Sequence, residues 1–99
     1  MATEIRTAVN KIAHDNYNAA VTAATKTLPA GPVQNSGVSI LIHNTDASIA
    51  ILVSFDGGTN WKTIPAGSSL PLDVSHLPSY QVKSASGTPA VECLYGYEG

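Results

Sequence analysis

The sequence predicts an all-β fold: a single small β-sandwich, jelly-roll or immunoglobulin-like, or a β-barrel of about seven to eight short antiparallel strands, preceded by an N-terminal arm. Three observations carry this prediction. Short stretches alternate apolar with polar side chains. Turn signals rich in Gly, Pro, Asn and Asp recur about every ten residues. The 43% of hydrophobic residues are mainly Ala, Val, Ile and Leu, with 6% aromatics, a composition that suits thin, closely packed layers.

Residues 1–16 are polar, with Ile5, Val9 and Ile12 at spacings of four and three. That spacing marks one helical stripe, yet three apolar residues make it narrow, and an isolated helix this short is marginal in water. An arm or short helix reaching a neighbour is expected there, and residues 17–99 form the sandwich domain. Ala19 to Thr27 reads as a strand of small and β-branched residues, with helix as the alternative because of its alanines. Leu28-Pro-Ala-Gly-Pro breaks it. Val38 to Asn44 puts Val38, Ile40 and Ile42 on one face, and Ile49 to Phe55 does the same with Ile49, Ile51, Val53 and Phe55. The intervening Asn44-Thr-Asp-Ala-Ser predicts an antiparallel hairpin. Leu41 and Leu52 point the opposite way, as they would if this pair were covered on both faces. Three short candidates follow, Trp61 to Ile64, Ser69 to Val74 and Tyr80 to Ser84. The last strand, Ala90 to Tyr97, sets Val91, Cys93, Tyr95 and Tyr97 against Glu92, Leu94 and Gly96.

Ninety-nine residues suffice for one domain with one modest core. A formal charge of −2 with 12% charged residues gives a weak field, and Arg6, Lys11, Lys26, Lys62 and Lys83 form no run, so nucleic acid is not an expected partner. The N-terminus lacks the apolar run of a secretory signal, and no stretch approaches the roughly 20 apolar residues that span a bilayer, so no membrane contact is expected. Cys93 is the single cysteine and has no intrachain disulfide partner.

No constellation for catalysis emerges, and no enzyme activity, cofactor or metal is expected. His14, His43 and His76 lack the close spacing of zinc ligands and read as surface or turn residues. His14 and Asp15 are neighbours that face opposite ways on a strand. Ser54, Ser75 and Ser84 lie outside any Gly-x-Ser-x-Gly elbow, and Cys93 sits in an apolar strand where a thiol is inert packing. Gly57, Gly58 and Gly87 precede no helix and no Lys-Ser or Lys-Thr pair, so they serve turns rather than phosphates. Trp61, Tyr80, Tyr95 and Tyr97 suit packing better than a glycan platform, and Tyr95 and Tyr97 suit a subunit interface, where tyrosine is enriched.

Ser54-Phe-Asp-Gly-Gly-Thr-Asn-Trp61 is the sharpest motif. Asp56 can accept hydrogen bonds from turn amides, Gly57 and Gly58 supply positive φ, and Trp61 can fold back over the hairpin. It resembles the Asp-box of sialidases and related propellers, Ser-x-Asp-x-Gly-x-Thr-Trp, with Asn60 where that pattern has Thr. A sialidase needs several repeats and an arginine cluster, and this chain has one repeat and one arginine. The motif therefore reads as a rigid turn.

The wider stretch from Val53 to Tyr97, with its Ser-x-Asp-Gly-Gly-x-x-Trp hairpin, Ile-Pro-Ala-Gly turn and Val-Lys-Ser-Ala-Ser-Gly-Thr strand pair, resembles small β-rich structural proteins of tailed bacteriophages. That resemblance implies a virion component assembled in the host cytoplasm, above all a capsid decoration or cement protein. It would bind the major capsid protein or other virion proteins and self-associate as a trimer or dimer. A head-to-tail, tail or fibre-base component is the alternative, and a carbohydrate-binding module is one of another class. Ile5, Arg6, Val9 and Ile12 of the arm, with Tyr95 and Tyr97, are the expected partner contacts.

Overall fold

The computed structural model describes residues 11–28, 38–74 and 79–97, those of Lys11, Val38, Val74 and Tyr97 by their backbone alone. Eight strands follow in order: β1 (Lys11–Asn18), β2 (Ala24–Thr27), β3 (Val38–Asn44), β4 (Ile51–Ser54), β5 (Lys62–Ile64), β6 (Ser69–Val74), β7 (Ser79–Ser84) and β8 (Ala90–Tyr97). Every pairing is antiparallel, first with last: β1 with β8, β2 with β7, β3 with β6 and β4 with β5. This is the pattern of one long hairpin rolled over on itself. Two further pairings, β3 with β8 and β4 with β7, complete two four-stranded sheets, β1-β8-β3-β6 (sheet A) and β2-β7-β4-β5 (sheet B). The order is that of a jelly-roll sandwich.

Alternation along each strand builds the core, because successive side chains leave the backbone on opposite sides. In sheet A, Ile40 lies opposite Tyr95, Ile42 opposite Cys93 and Asn44 opposite Val91, and all six are buried. In sheet B, Ile51 pairs with Ile64 and Ser84, and Val53 with Val82, again facing inward. At roughly 1.5–3 kcal/mol for each large aliphatic side chain taken out of water, these two inner faces are the main favourable term in folding.

Three expectations change. Lys11–Asn18 is not helical, because β8 offers eight consecutive backbone partners, from Tyr97 to Ala90, and that ladder outweighs a stripe of three apolar residues. The arm thus gives way to sheet A from Lys11, and residues 1–10 lie outside the described residues. The strand expected over Ala19 to Thr27 is confined to Ala24–Thr27, with Ala19 buried just ahead of it. Finally, β3 and β4 do not form a hairpin: the chain crosses from one sheet to the other between them.

Asn44 organises that crossing. It is fully buried, its Nδ2 donates to the carbonyls of Ile49 (2.8 Å) and Ile64 (3.1 Å), and its Oδ1 accepts from the Asp46 amide at 3.1 Å. Its backbone N–H donates to Ser68 and its carbonyl accepts from Gly67, both at 2.9 Å. One side chain and its own peptide groups therefore hold the β3–β4 crossing, the end of β5 and the turn into β6.

Candidate functional site

Two arrangements of side chains stand out: a patterned outer face on sheet A and a chain of phenols in the core.

The outer face follows from the register. Its strands align in three rows: Ile12, Gly96, Ser39 and Asp73; then His14, Leu94, Leu41 and Pro71; then Asn16, Glu92, His43 and Ser69. Around Gly96, which has no side chain to fill the space, Ile12, Leu41, Pro71 and Leu94 line a hollow of about 580 Å³. Ile12 is 68% exposed and Leu94 38%, although a strand with one buried face normally turns polar residues outward. Ser39 Oγ donates to Asp73 at the rim. Beside the hollow, His14, Asn16, His43 and Glu92 line a smaller one of about 280 Å³. Among the described residues no three His, Cys, Asp or Glu side chains are placed to hold a metal ion.

Inside the sandwich, hydrogen bonds run in one direction. The Cys93 thiol donates to Tyr17 Oη (3.8 Å), and a phenol chain continues from Tyr17 to Tyr80 (2.7 Å) and from Tyr80 to Tyr95 (3.1 Å). It ends where Tyr95 donates to Asp15 Oδ2 at 3.3 Å. Because Tyr95 spends its proton on Asp15, the two phenol–phenol bonds are ordered in that sense. Lys26 closes the assembly, with Nζ 3.6 Å from Asp15 and 4.1 Å from the centre of the Tyr17 ring. Burial, reinforced by neighbouring ionisable groups, raises the phenols of Tyr17, Tyr80 and Tyr95 above the ordinary tyrosine value. The arrangement satisfies buried polar atoms and holds its protons, and its thiol is enclosed, so it is structural glue between the sheets.

The Ser54-to-Trp61 segment is a turn tied by one carboxylate. Asp56 Oδ1 accepts from Ser54 Oγ (2.8 Å), Thr59 N (3.1 Å) and Asn60 N (2.9 Å), and Oδ2 accepts from Asn60 Nδ2 at 2.7 Å. Four donors stabilise the anion, and its pKa falls to about 2. Gly57 and Gly58 have φ of 76° and 92°, and Gly58 N donates to Ser54 Oγ. Trp61 Nε1 donates to Gly58 O at 3.1 Å, and Lys83 Nζ lies 4.3 Å over its ring. Lys83 thus covers one face of the Trp61 ring, and Tyr80 and Tyr95 are buried.

Of the expected partner contacts, Ile12 is exposed on the outer face, while Ile5, Arg6 and Val9 lie outside the described residues. Tyr95 is corrected: it faces the core at 2% exposure, because Val91, Cys93 and Tyr95 share the inner side of β8. Tyr97 is placed by its backbone, opposite Lys11 and Val38. Leu41, Leu94, His43 and Glu92 were not singled out as contacts. Their signal was in the sequence, as leucines on the polar side of two alternating strands, but only the register aligns them.

No protein-family model and no curated protein matches the chain. Among solved structures it is similar to a protein of Bacillus endospore appendages, which form disulfide-linked pili. The TM-score is 0.58 at 16% identity, over 100% of this chain and 96% of that one. The likeness is one of fold. It overturns the expectation of a phage capsid decoration protein, together with the tail and fibre-base variant and the glycan-binding alternative: this neighbour, similar over the full length of the chain, belongs to a pilus.

Proposed function

We propose that this chain is a structural subunit that assembles into a filament through non-covalent contacts between copies. The observation that carries the reading is the fold likeness to a pilus protein over the full length of both chains. No catalytic step is part of it.

The linkage must differ from that of the similar pili. Cys93 is the only cysteine of the chain, and it is buried, with its thiol donating to Tyr17 and lying 3.4 Å from Tyr80 Oη. A thiol enclosed in this way does not reach a second copy without unfolding, so joints have to come from surfaces. Sheet A ends in β1 and β6, and sheet B in β2 and β5. Each edge strand presents backbone donors and acceptors that the described sheets leave unpaired, and a strand from another molecule can satisfy them. The two edges of sheet A differ: β1 runs eight residues, whereas β6 carries Pro71, which has no N–H to donate. Joining unlike edges is a head-to-tail contact, and such a contact extends into a fibre when its rotation does not close.

Electron microscopy of the purified full chain over a rising concentration series, with and without dithiothreitol, tests this. Filaments are expected in both conditions. Solitary particles up to millimolar concentration would overturn the filament reading, and filaments dissolved by the reductant would overturn its non-covalent joints.

A further inference from the structure

We propose that the outer face of sheet A pairs with the same face of a second copy, the two sheets packing about a twofold axis that runs along the strands between β8 and β3. This pairing rests on the register of sheet A and holds whether or not filaments form.

Such an axis sets β8 over the partner's β3 and β1 over its β6, with each row meeting its own row. Leu94 then lies on Leu41 of the second copy, Glu92 on His43, and Gly96 on Ser39, each contact occurring twice. The apolar row buries leucine against leucine. The acidic row gives the Glu92 carboxylate an imidazole N–H. The row of Gly96 and Ser39 lets the two backbones approach, since neither residue carries a large side chain, and at its ends Ile12 comes to lie over Asp73 of the second copy, whose carboxylate is already bonded to Ser39. The contacts of β8 with the partner's β3 are thus self-complementary in size and charge, as an isologous contact requires. Leu94, one of the four large hydrophobic residues exposed among the described residues, lies at its centre beside Leu41 and Pro71, which gives the pairing apolar surface to remove from water.

Area sets the strength. Four strands about 4.8 Å apart and about six residues long at ~3.3 Å each make a plane of about 400 Å² on each copy. A stable complex buries about 800 Å² a side, so this pair belongs among weak, concentration-dependent complexes.

Sedimentation analysis of the full chain across micromolar to millimolar concentrations is the test. A monomer–dimer equilibrium is expected, with Leu94→Lys and Glu92→Lys each raising the dissociation constant by about tenfold or more. Adding His43→Glu to Glu92→Lys restores opposite charges across the axis and should recover dimerisation. Near-ultraviolet circular dichroism verifies that each variant is folded, and Glu92→Lys, at an exposed position, provides the result if Leu94→Lys fails to fold. A wild-type chain that stays monomeric, because another segment or partner covers the face, would refute the pairing. So would a dimer that survives both single substitutions. Loss of the dimer in the Leu94→Lys chain with filaments still formed would support the pairing and leave the filament reading, whose joints lie at the sheet edges, in place.

Discussion

Replacing Asn44 by alanine should cost far more than its loop-flanking position in the sequence suggests. The substitution removes two hydrogen bonds donated by Nδ2, to Ile49 O and Ile64 O, and one accepted by Oδ1 from Asp46 N. The bond to Ile64 is buried, so its carbonyl loses a side-chain donor and pays about 1–3 kcal/mol of desolvation, while the two part-buried bonds contribute about 0.5–1.5 kcal/mol each. The sum is about 2–6 kcal/mol before any cavity is counted, a large share of the 5–15 kcal/mol typical of a domain. At roughly 4–8 °C per kcal/mol for a domain of this size, the melting temperature should fall by about 20 °C. Urea unfolding followed by tryptophan fluorescence gives the free energy directly, with an unchanged slope marking an unchanged fold. The isosteric Asn44→Asp sharpens the test, because a carboxylate faces the two carbonyls with lone pairs instead of N–H groups. It should be more damaging than alanine at neutral pH and partly relieved in acid, where the protonated carboxyl regains one donor. A loss below about 1 kcal/mol in Asn44→Ala would refute the claim that this side chain holds the crossing between the sheets.

Three further outcomes follow from the turn and the core. Asp56 has a folded pKa of about 2 against 3.8 when free, so its stabilisation is complete above pH 4 and disappears as pH falls through 2. Acid unfolding of Asp56→Ala should lack that part of the pH dependence, and a carboxyl resonance titrating near 4 in the native chain would contradict the turn geometry. The phenols of Tyr17, Tyr80 and Tyr95 are raised in the fold, so their stabilisation is present below pH 10 and is lost as the pH rises above it, when the unfolded chain releases protons that the native chain keeps. Absorbance at 295 nm should show these three ionising together with alkaline unfolding, and their free titration in a folded chain would count against the buried network. A Cβ at Gly58 meets Gln81 Oε1 at 3.0 Å, whereas one at Gly57 meets nothing within 4 Å. Both positions have positive φ, so each alanine substitution should destabilise, Gly58→Ala more than Gly57→Ala. Equal melting temperatures would mean that the contact with Gln81 is irrelevant.

The amino-acid sequence by itself determined the class of fold and most strand positions, because alternation is a local property that needs no knowledge of neighbours. Val38–Asn44, Ser69–Val74 and Ala90–Tyr97 lie where the pattern puts them. The Asp56 turn is legible for the same reason: its donors all lie within four residues of the acceptor.

Tertiary structure alone decided which strands meet. Alternation says that a strand has an inner face but not what lies across from it, and the entropy of closing a loop grows too slowly with length to favour the nearest partner. Hence β3 pairs with β6 and β8 rather than β4, and Tyr95 bonds to Asp15, eighty residues away in the chain, instead of facing a neighbour. Asn44 is buried where turn residues are usually wet, because two sheets converge on it. The rows that set Leu94 beside Leu41 and Glu92 beside His43 exist only through pairing between strands far apart in sequence. The residues of the proposed pairing surface are therefore each visible in the chain, but their arrangement is a product of the fold.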